Sequence, residues 1–164
     1  MVTAPASGVP QPGASAPNFA LVTNTEEPRS LESYAGKWLV LYFYPKASTP
    51  GCTREAQSFT FLLPEFARHN AVVVGLSPDS CKAIANFIVK QSLTVELLSD
   101  PDRTAANAYG VYRMKKNYGK EAMGIVRSTF IIDPQGVVRH VFSPVPKVDG
   151  HAQAVLDVVR VLTA

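Results

Sequence analysis

Leu39-Val40-Leu41-Tyr42-Phe43-Tyr44-Pro45-Lys46-Ala47-Ser48-Thr49-Pro50-Gly51-Cys52-Thr53-Arg54-Glu55-Ala56 is the stretch whose reading decides the fold. The apolar and aromatic run from Trp38 to Tyr44 predicts a buried strand, which Pro45 stops. Thr49-Pro50-Gly51 then opens a helix. Thr49 is a good N-cap, Pro50 takes the first helical position, where a missing N–H costs nothing, and Cys52 falls at N3. A thiol there meets unpaired backbone N–H groups and the positive end of the helix dipole, which both favour thiolate. The Thr49 hydroxyl, three residues back, lies over the same first turn.

Outward from this unit, apolar strands alternate with helices. Phe59, Leu62, Leu63 and Phe66 give the Cys52 helix one apolar face, and Pro64 should kink or divide it. Ala71 to Leu76 reads as a second strand, all apolar as in a parallel sheet covered on both faces. Asp79 or Ser80 caps a helix to about Gln91. Val95 to Leu98 is a third strand, Asp102 to Tyr109 a helix closed by Gly110, and Met114 to Met123 a polar loop. Val126 to Asp133 and Val137 to Phe142 form a hairpin through Asp133-Pro134-Gln135-Gly136. The final helix runs from about Gly150 to Leu162. Phe19 to Val22 and Arg29 to Leu31 form an N-terminal hairpin, and residues 31–35 a single helical turn closed by Gly36. The order describes an α/β domain over residues 17–164, behind a flexible Pro/Ala/Ser/Gly-rich tail of residues 1–16.

A chain of 164 residues is one domain with room for a core, and 46% apolar with 18% charged residues is ordinary for a globular protein. The charge of +3 is mild, and Lys115-Lys116 is the longest basic run, so neither nucleic acid nor a membrane surface is expected as a partner. Two cysteines make no disulfide framework and suggest thiols in a reducing compartment; the expected location is cytoplasmic. No run is long and apolar enough to span a membrane, and residues 1–16 lack the pattern of a secretory signal. No Gly-rich phosphate loop joins a strand to a helix.

Cys52 is either a small packed apolar residue or a reactive thiol, and the use of three special residues (Thr49, Pro50, Gly51) to place it at N3 favours the reactive one. Arg127 interrupts the apolar segment Gly124 to Ile132. Facing inward it requires a partner; facing out, it would sit on an edge strand. If its strand lies beside the Cys52 strand, Arg127 reaches the sulfur and stabilises charge moving onto oxygen. Glu55, one turn after Cys52, either orients Arg127 or is a solvated surface residue. Cys81 shares a helical stripe with Ile84, Ala85 and Ile88 and is either a packed thiol or a reactive one. His69, His140 and His151 show no metal-ligand spacing with the cysteines and are expected at the surface.

Pro45-x-x-x-Thr49-x-x-Cys52 matches the active-site motif of the peroxiredoxins. Tyr42-Phe-Tyr-Pro-Lys…Thr49-Pro-Gly-Cys-Thr-x-Glu55-Ala56 resembles the bacterioferritin-comigratory-protein (PrxQ) branch. The likeness continues through Gly75 to Ser80, Leu98 to Asp100, Tyr109-Gly-Val, Tyr118-Gly-Lys and Met123 to Asp133, covering roughly residues 16–163. It implies a thioredoxin-like fold, a central mixed sheet flanked by helices with an extra N-terminal β-hairpin. It also implies a peroxidase that uses no metal, haem or flavin. Cys52 becomes the peroxidatic nucleophile, Arg127 its activating cation, Thr49 a hydrogen-bonding partner of peroxide and thiolate, and Pro45 a shield against water. The branch often has a resolving cysteine five positions after the nucleophile. Here that position is Gln57, so Cys81 is the resolving candidate, with a one-cysteine enzyme as the alternative. The implied partners are hydrogen peroxide or an alkyl hydroperoxide and a thioredoxin-like or glutaredoxin-like reductant, for a monomer. A redox-regulated binding protein or holdase without turnover is the rival from another class.

Overall fold

The computed structural model describes residues 8–117 and 119–164. Strands β1 (Ala20–Thr23) and β2 (Pro28–Ser30) form the expected N-terminal hairpin, followed by a 3₁₀ turn at Leu31–Tyr34. Then come β3 (Trp38–Phe43), α1 (Pro50–Ala67), β4 (Ala71–Ser77), α2 (Cys81–Gln91), β5 (Glu96–Ser99) and α3 (Thr104–Ala108). The chain closes with β6 (Tyr112–Asn117), β7 (Lys120–Ile125), β8 (Ser128–Ile132), β9 (Val138–Phe142) and α4 (His151–Thr163).

Seven strands form one mixed sheet in the order β2-β1-β5-β4-β3-β8-β9, with β3, β4 and β5 parallel and the other pairings antiparallel. Successive side chains of β3 point to opposite faces. Val40, Tyr42 and Tyr44 enter a core shared with α1, α2 and α4. Leu39, Leu41 and Phe43 enter a second core with α3, Tyr109 and Val111. The Tyr42 ring crosses β4 at Gly75, where a Cβ would come within 2.6 Å of it, so this strand position requires glycine. The architecture is the expected thioredoxin-like α/β sheet with its extra hairpin.

Three expectations need correction. Pro64 lies within α1 but does not divide it, since the helix runs on to Ala67. Residues 114–117 and 120–123 are not a loop; residue 118 of that expected stretch lies outside the described residues. They belong to the β6–β7 hairpin, a separate two-stranded sheet in which Tyr112 pairs with Ile125 and Met114 with Met123. Only its base reaches the core, through buried Ile125 and partly buried Tyr112, so the outer part carries no apolar alternation. Finally, residues 13–16, assigned to a flexible tail, are bonded to the start of β9 and the turn before it, and Gly8 and Val9 lie against Gly110. Gly13 N–H donates to Val138 O at 2.7 Å, Val138 N–H to Ala14 O at 2.9 Å and Ala16 N–H to Gly136 O at 2.8 Å. These bonds use backbone groups, which composition does not reveal. Residues 1–7 of that expected tail lie outside the described residues.

Candidate active site

The β3–α1 unit forms as its sequence dictates. Thr49 is the N-cap of α1 in extended conformation, Pro50 is the first helical residue, and Cys52 follows at N3 with 2% exposure. The Thr49 side chain does not cap the helix; its hydroxyl donates to Lys46 O at 2.8 Å. With its proton committed there, Thr49 Oγ1 can accept a hydrogen bond but has none to give the sulfur. The expected bond from this hydroxyl to the sulfur is therefore not among those the described residues make. Pro45, half-buried, follows directly on β3, where Tyr44 N–H bonds Leu76 O at 3.0 Å.

Arg127 falls in the two-residue link between β7 and β8, one residue short of the expected strand position. β8 lies beside β3, with Ser128 paired to Phe43, so the guanidinium arrives at the end of β3 that leads to Cys52. Its backbone is fixed, since Val126 N–H bonds Val111 O at 2.7 Å and Val145 N–H bonds Arg127 O at 2.8 Å. From there Nη2 donates to Cys52 Sγ at 3.3 Å, while Nη1 donates to Glu55 Oε1 in a short charge-assisted bond. Gly51 leaves the space for this: a Cβ there would touch Nη2 at 3.4 Å. The Arg127 side chain is 16% exposed, so the edge-strand reading is ruled out.

Glu55 is likewise not a surface glutamate, being 1% exposed. Burial pushes its carboxyl up to about 7, against the opposing pull of Arg127. Burial works against the charge on Arg127 too, but Glu55 and Cys52 outweigh it and hold the guanidinium above its ordinary range. The second oxygen, Glu55 Oε2, is buried with no partner among the described residues, as are the Tyr42 and Tyr44 hydroxyls. Burial raises both tyrosines, so they stay protonated.

His151 contradicts its expected surface position. It is 6% exposed at the first turn of α4, its Nε2 is 2.8 Å from Thr129 Oγ1 on β8, and it meets Phe59 and Phe142 edge-on. Burial, and then the charge of Arg127, push it down to about 4, so it is neutral at ordinary pH. Its contacts join β8, β9 and α1, and a lone histidine after Gly150 gave no sign of that. His69 and His140 are partly exposed.

Cys81 is at the first position of α2, partly buried, with Ser80 capping the helix through Ala83 N–H at 3.1 Å. Its thiol donates to Thr23 O at 3.4 Å. The site thus gathers Cys52, Glu55, Arg127 and the Thr49 loop, and leaves Cys81 on the next helix over. Both helices follow neighbouring parallel strands, so both sulfurs lie toward the same border of the sheet.

Residues 12–141 match the model of the AhpC/TSA family. The chain is 47% identical to peroxiredoxin Bcp of Xanthomonas campestris over 131 residues, covering 80% of this chain and 81% of that one. With peroxiredoxin Bcp of Bacillus subtilis it shares 47% identity over 124 residues, 76% of this chain and 79% of that one. It belongs to the AhpC/TSA family, as a peroxiredoxin of the Bcp type. A solved structure of the X. campestris bacterioferritin comigratory protein, described for its alkyl peroxide reduction activity, superposes with a TM-score of 0.86 at 40% identity, over 95% of this chain and 98% of that one. The peroxiredoxin is accordingly a thiol-dependent peroxidase, acting on peroxide.

Proposed function

We propose that Cys52 is the peroxidatic thiol, and that it reduces hydrogen peroxide and alkyl hydroperoxides through a sulfenic acid. The observation that carries this is the Arg127 Nη2 to Cys52 Sγ contact at 3.3 Å in a buried first helical turn. A thiolate accepts that charge-assisted bond better than a thiol does. The sulfur attacks the terminal peroxide oxygen, the S–O bond forms as the O–O bond breaks, and the departing oxygen leaves as water or alcohol after taking a proton. Arg127, already bonded to the sulfur, stabilises charge as it moves onto oxygen. Glu55 holds Arg127 in place, Thr49 Oγ1 accepts from the peroxide O–H, and Pro45 keeps water from the loop.

In this reading Cys81 resolves the sulfenic acid. Its thiol condenses with it, water leaves, and a disulfide forms that a thioredoxin-like or glutaredoxin-like dithiol reduces by exchange. The first turn of α1 must open for this, because a disulfide needs close Cα approach. One observation favours the one-cysteine alternative. The two cysteines replaced singly by serine in the X. campestris peroxiredoxin Q structures are more widely spaced than Cys52 and Cys81, and at that spacing this chain carries Ile88. The test is a single equivalent of peroxide without reductant, followed by thiol counting and peptide mass spectrometry. A 52–81 linkage with both thiols lost supports resolution by Cys81; oxidised Cys52 beside free Cys81 establishes the one-cysteine enzyme. Two free cysteines favour a reducing, cytoplasmic compartment and the family resemblance a monomer, and among the described residues no helix is long and apolar enough to cross a membrane.

A further inference from the structure

The loop that delivers Cys52 is fastened to the sheet by one side chain, that of Asp79. Its Oδ2 accepts from Ala47 N–H at 2.7 Å and from Ser77 Oγ, at the end of β4, at 2.7 Å. The Asp79 carbonyl accepts from Ser99 Oγ at the end of β5. The carboxylate is therefore anchored to the end of β4 and reaches across to the loop that follows β3, while the Asp79 backbone is tied to the end of β5. Ala47, 7% exposed, would otherwise bury an unpaired amide. Its neighbour Ser48 has φ of 66°, a left-handed conformation that a non-glycine residue keeps only where its surroundings over-determine it. Thr49, one residue further on, has its hydroxyl turned back onto Lys46 O inside the same loop.

We propose that Asp79 is a positioning residue for peroxide reduction, its carboxylate fixing the Pro45–Thr49 loop so that Thr49 Oγ1 stands correctly against Cys52. This rests on Cys52 being the reacting thiol. Asp79 touches neither sulfur nor peroxide and acts through Ala47. The geometric demand is steep, since displacement of a reacting group by about 1 Å can cost about 10²-fold in rate. Asp79 also stands two residues before Cys81, and Ser80 between them caps α2. The same carboxylate therefore ties the loop before one cysteine to the start of the helix that carries the other.

The test compares two rates on the full chain, peroxide consumption with dithiothreitol and alkylation of Cys52 by iodoacetamide, which needs the thiolate but not the peroxide geometry. Asp79→Ala is expected to slow peroxide consumption by about 10²-fold while alkylation changes by no more than about threefold. Asp79→Asn keeps a carbonyl oxygen for Ala47 and Ser77 and should recover most of the peroxide rate. An unchanged peroxide rate in Asp79→Ala, equal losses in both rates, or an Asp79→Asn no better than Asp79→Ala would each overturn the proposal. Should Asp79→Ala fail to fold, amide exchange at Ala47 decides: protection in wild type and Asp79→Asn supports the anchor, and free exchange in the wild type removes it. Peroxide turnover surviving in Cys52→Ser would instead remove the assignment of the reacting thiol, a failure separate from that of Asp79.

Discussion

Cys52 and Cys81 occupy nearly the same place in the plan of the molecule. Each lies in the first turn of a helix that follows one of two neighbouring parallel strands, β3 and β4. What surrounds them differs. Cys52 is buried and accepts from a guanidinium at 3.3 Å, whereas Cys81 is partly exposed and donates to the Thr23 carbonyl at 3.4 Å, a bond that only a protonated thiol can make. The helix terminus is common to both, so it does not distinguish the two thiols. The cation from the β7–β8 link and the carboxylate that holds it do.

Serine substitution breaks the comparison most severely. Cys52→Ser should bring dithiothreitol-supported peroxide consumption to background with the fold retained, as followed by circular dichroism; substantial turnover in that variant would show that the guanidinium marks the wrong thiol. Next in size is Arg127→Ala, which leaves the helix terminus intact and removes only the cation. A donor aimed at developing oxyanion charge is worth about 10²–10³ in rate, and a loss of that order is expected in the second-order rate constant with peroxide. A rate within a few-fold of wild type would return the credit to the helix.

The Glu55 carboxylate sharpens the comparison through pH. Its group sits at about 7 against an ordinary 4.5, so between those values the folded chain keeps a proton that the unfolded chain has released. That contribution to stability is complete below about pH 4.5 and is lost as pH rises through about 7. Glu55→Gln should remove this slope, so that wild type loses on the order of 1–3 kcal/mol relative to the variant between pH 5 and 8, measured from urea midpoints. Parallel curves would mean that Glu55 stays ionised throughout. His151 runs the other way. Held at about 4 against 6.5, it contributes fully above pH 6.5 and loses that contribution as pH falls toward 4, so the two groups partly offset each other in wild type. The smallest rate effect belongs to Cys81→Ser. Its first turnover should match wild type, while Cys52 proceeds to sulfinic acid at lower peroxide doses by mass spectrometry. Identical dose curves would leave Cys81 with a packing role only.

The strand, loop and helix around Cys52 were legible because each signal there is local: an apolar run, a proline stop, and an N-cap followed by proline. The parallel strands were legible for the same reason. The pairing of Arg127 with Glu55 spans 72 positions; the sequence named Glu55 as one possible partner but left a solvated surface position equally open, since burial is not a local signal. Nothing local distinguishes buried His151 from partly exposed His140, since the difference is made by Thr129, Phe59 and Phe142. Asp79 read as a possible helix cap, and Ser80 takes that role. The β6–β7 hairpin was missed because most of its side chains face water, which removes the alternation that marks a strand.

Residues 13–16, laid along β9, bear on how this protein behaves in a crowd. A sheet with open margins invites other chains to add themselves as further strands, and oxidative stress raises that hazard by partly unfolding proteins. Here one margin, β2, is three residues long and begins with a proline that has no N–H to offer. At the other, the chain's own N-terminal segment already takes bonds from both ends of the Gly136–Val138 stretch. Trimming residues 8–16 would bare that end of the border, and the shortened chain should aggregate more readily on mild heating, as light scattering would show.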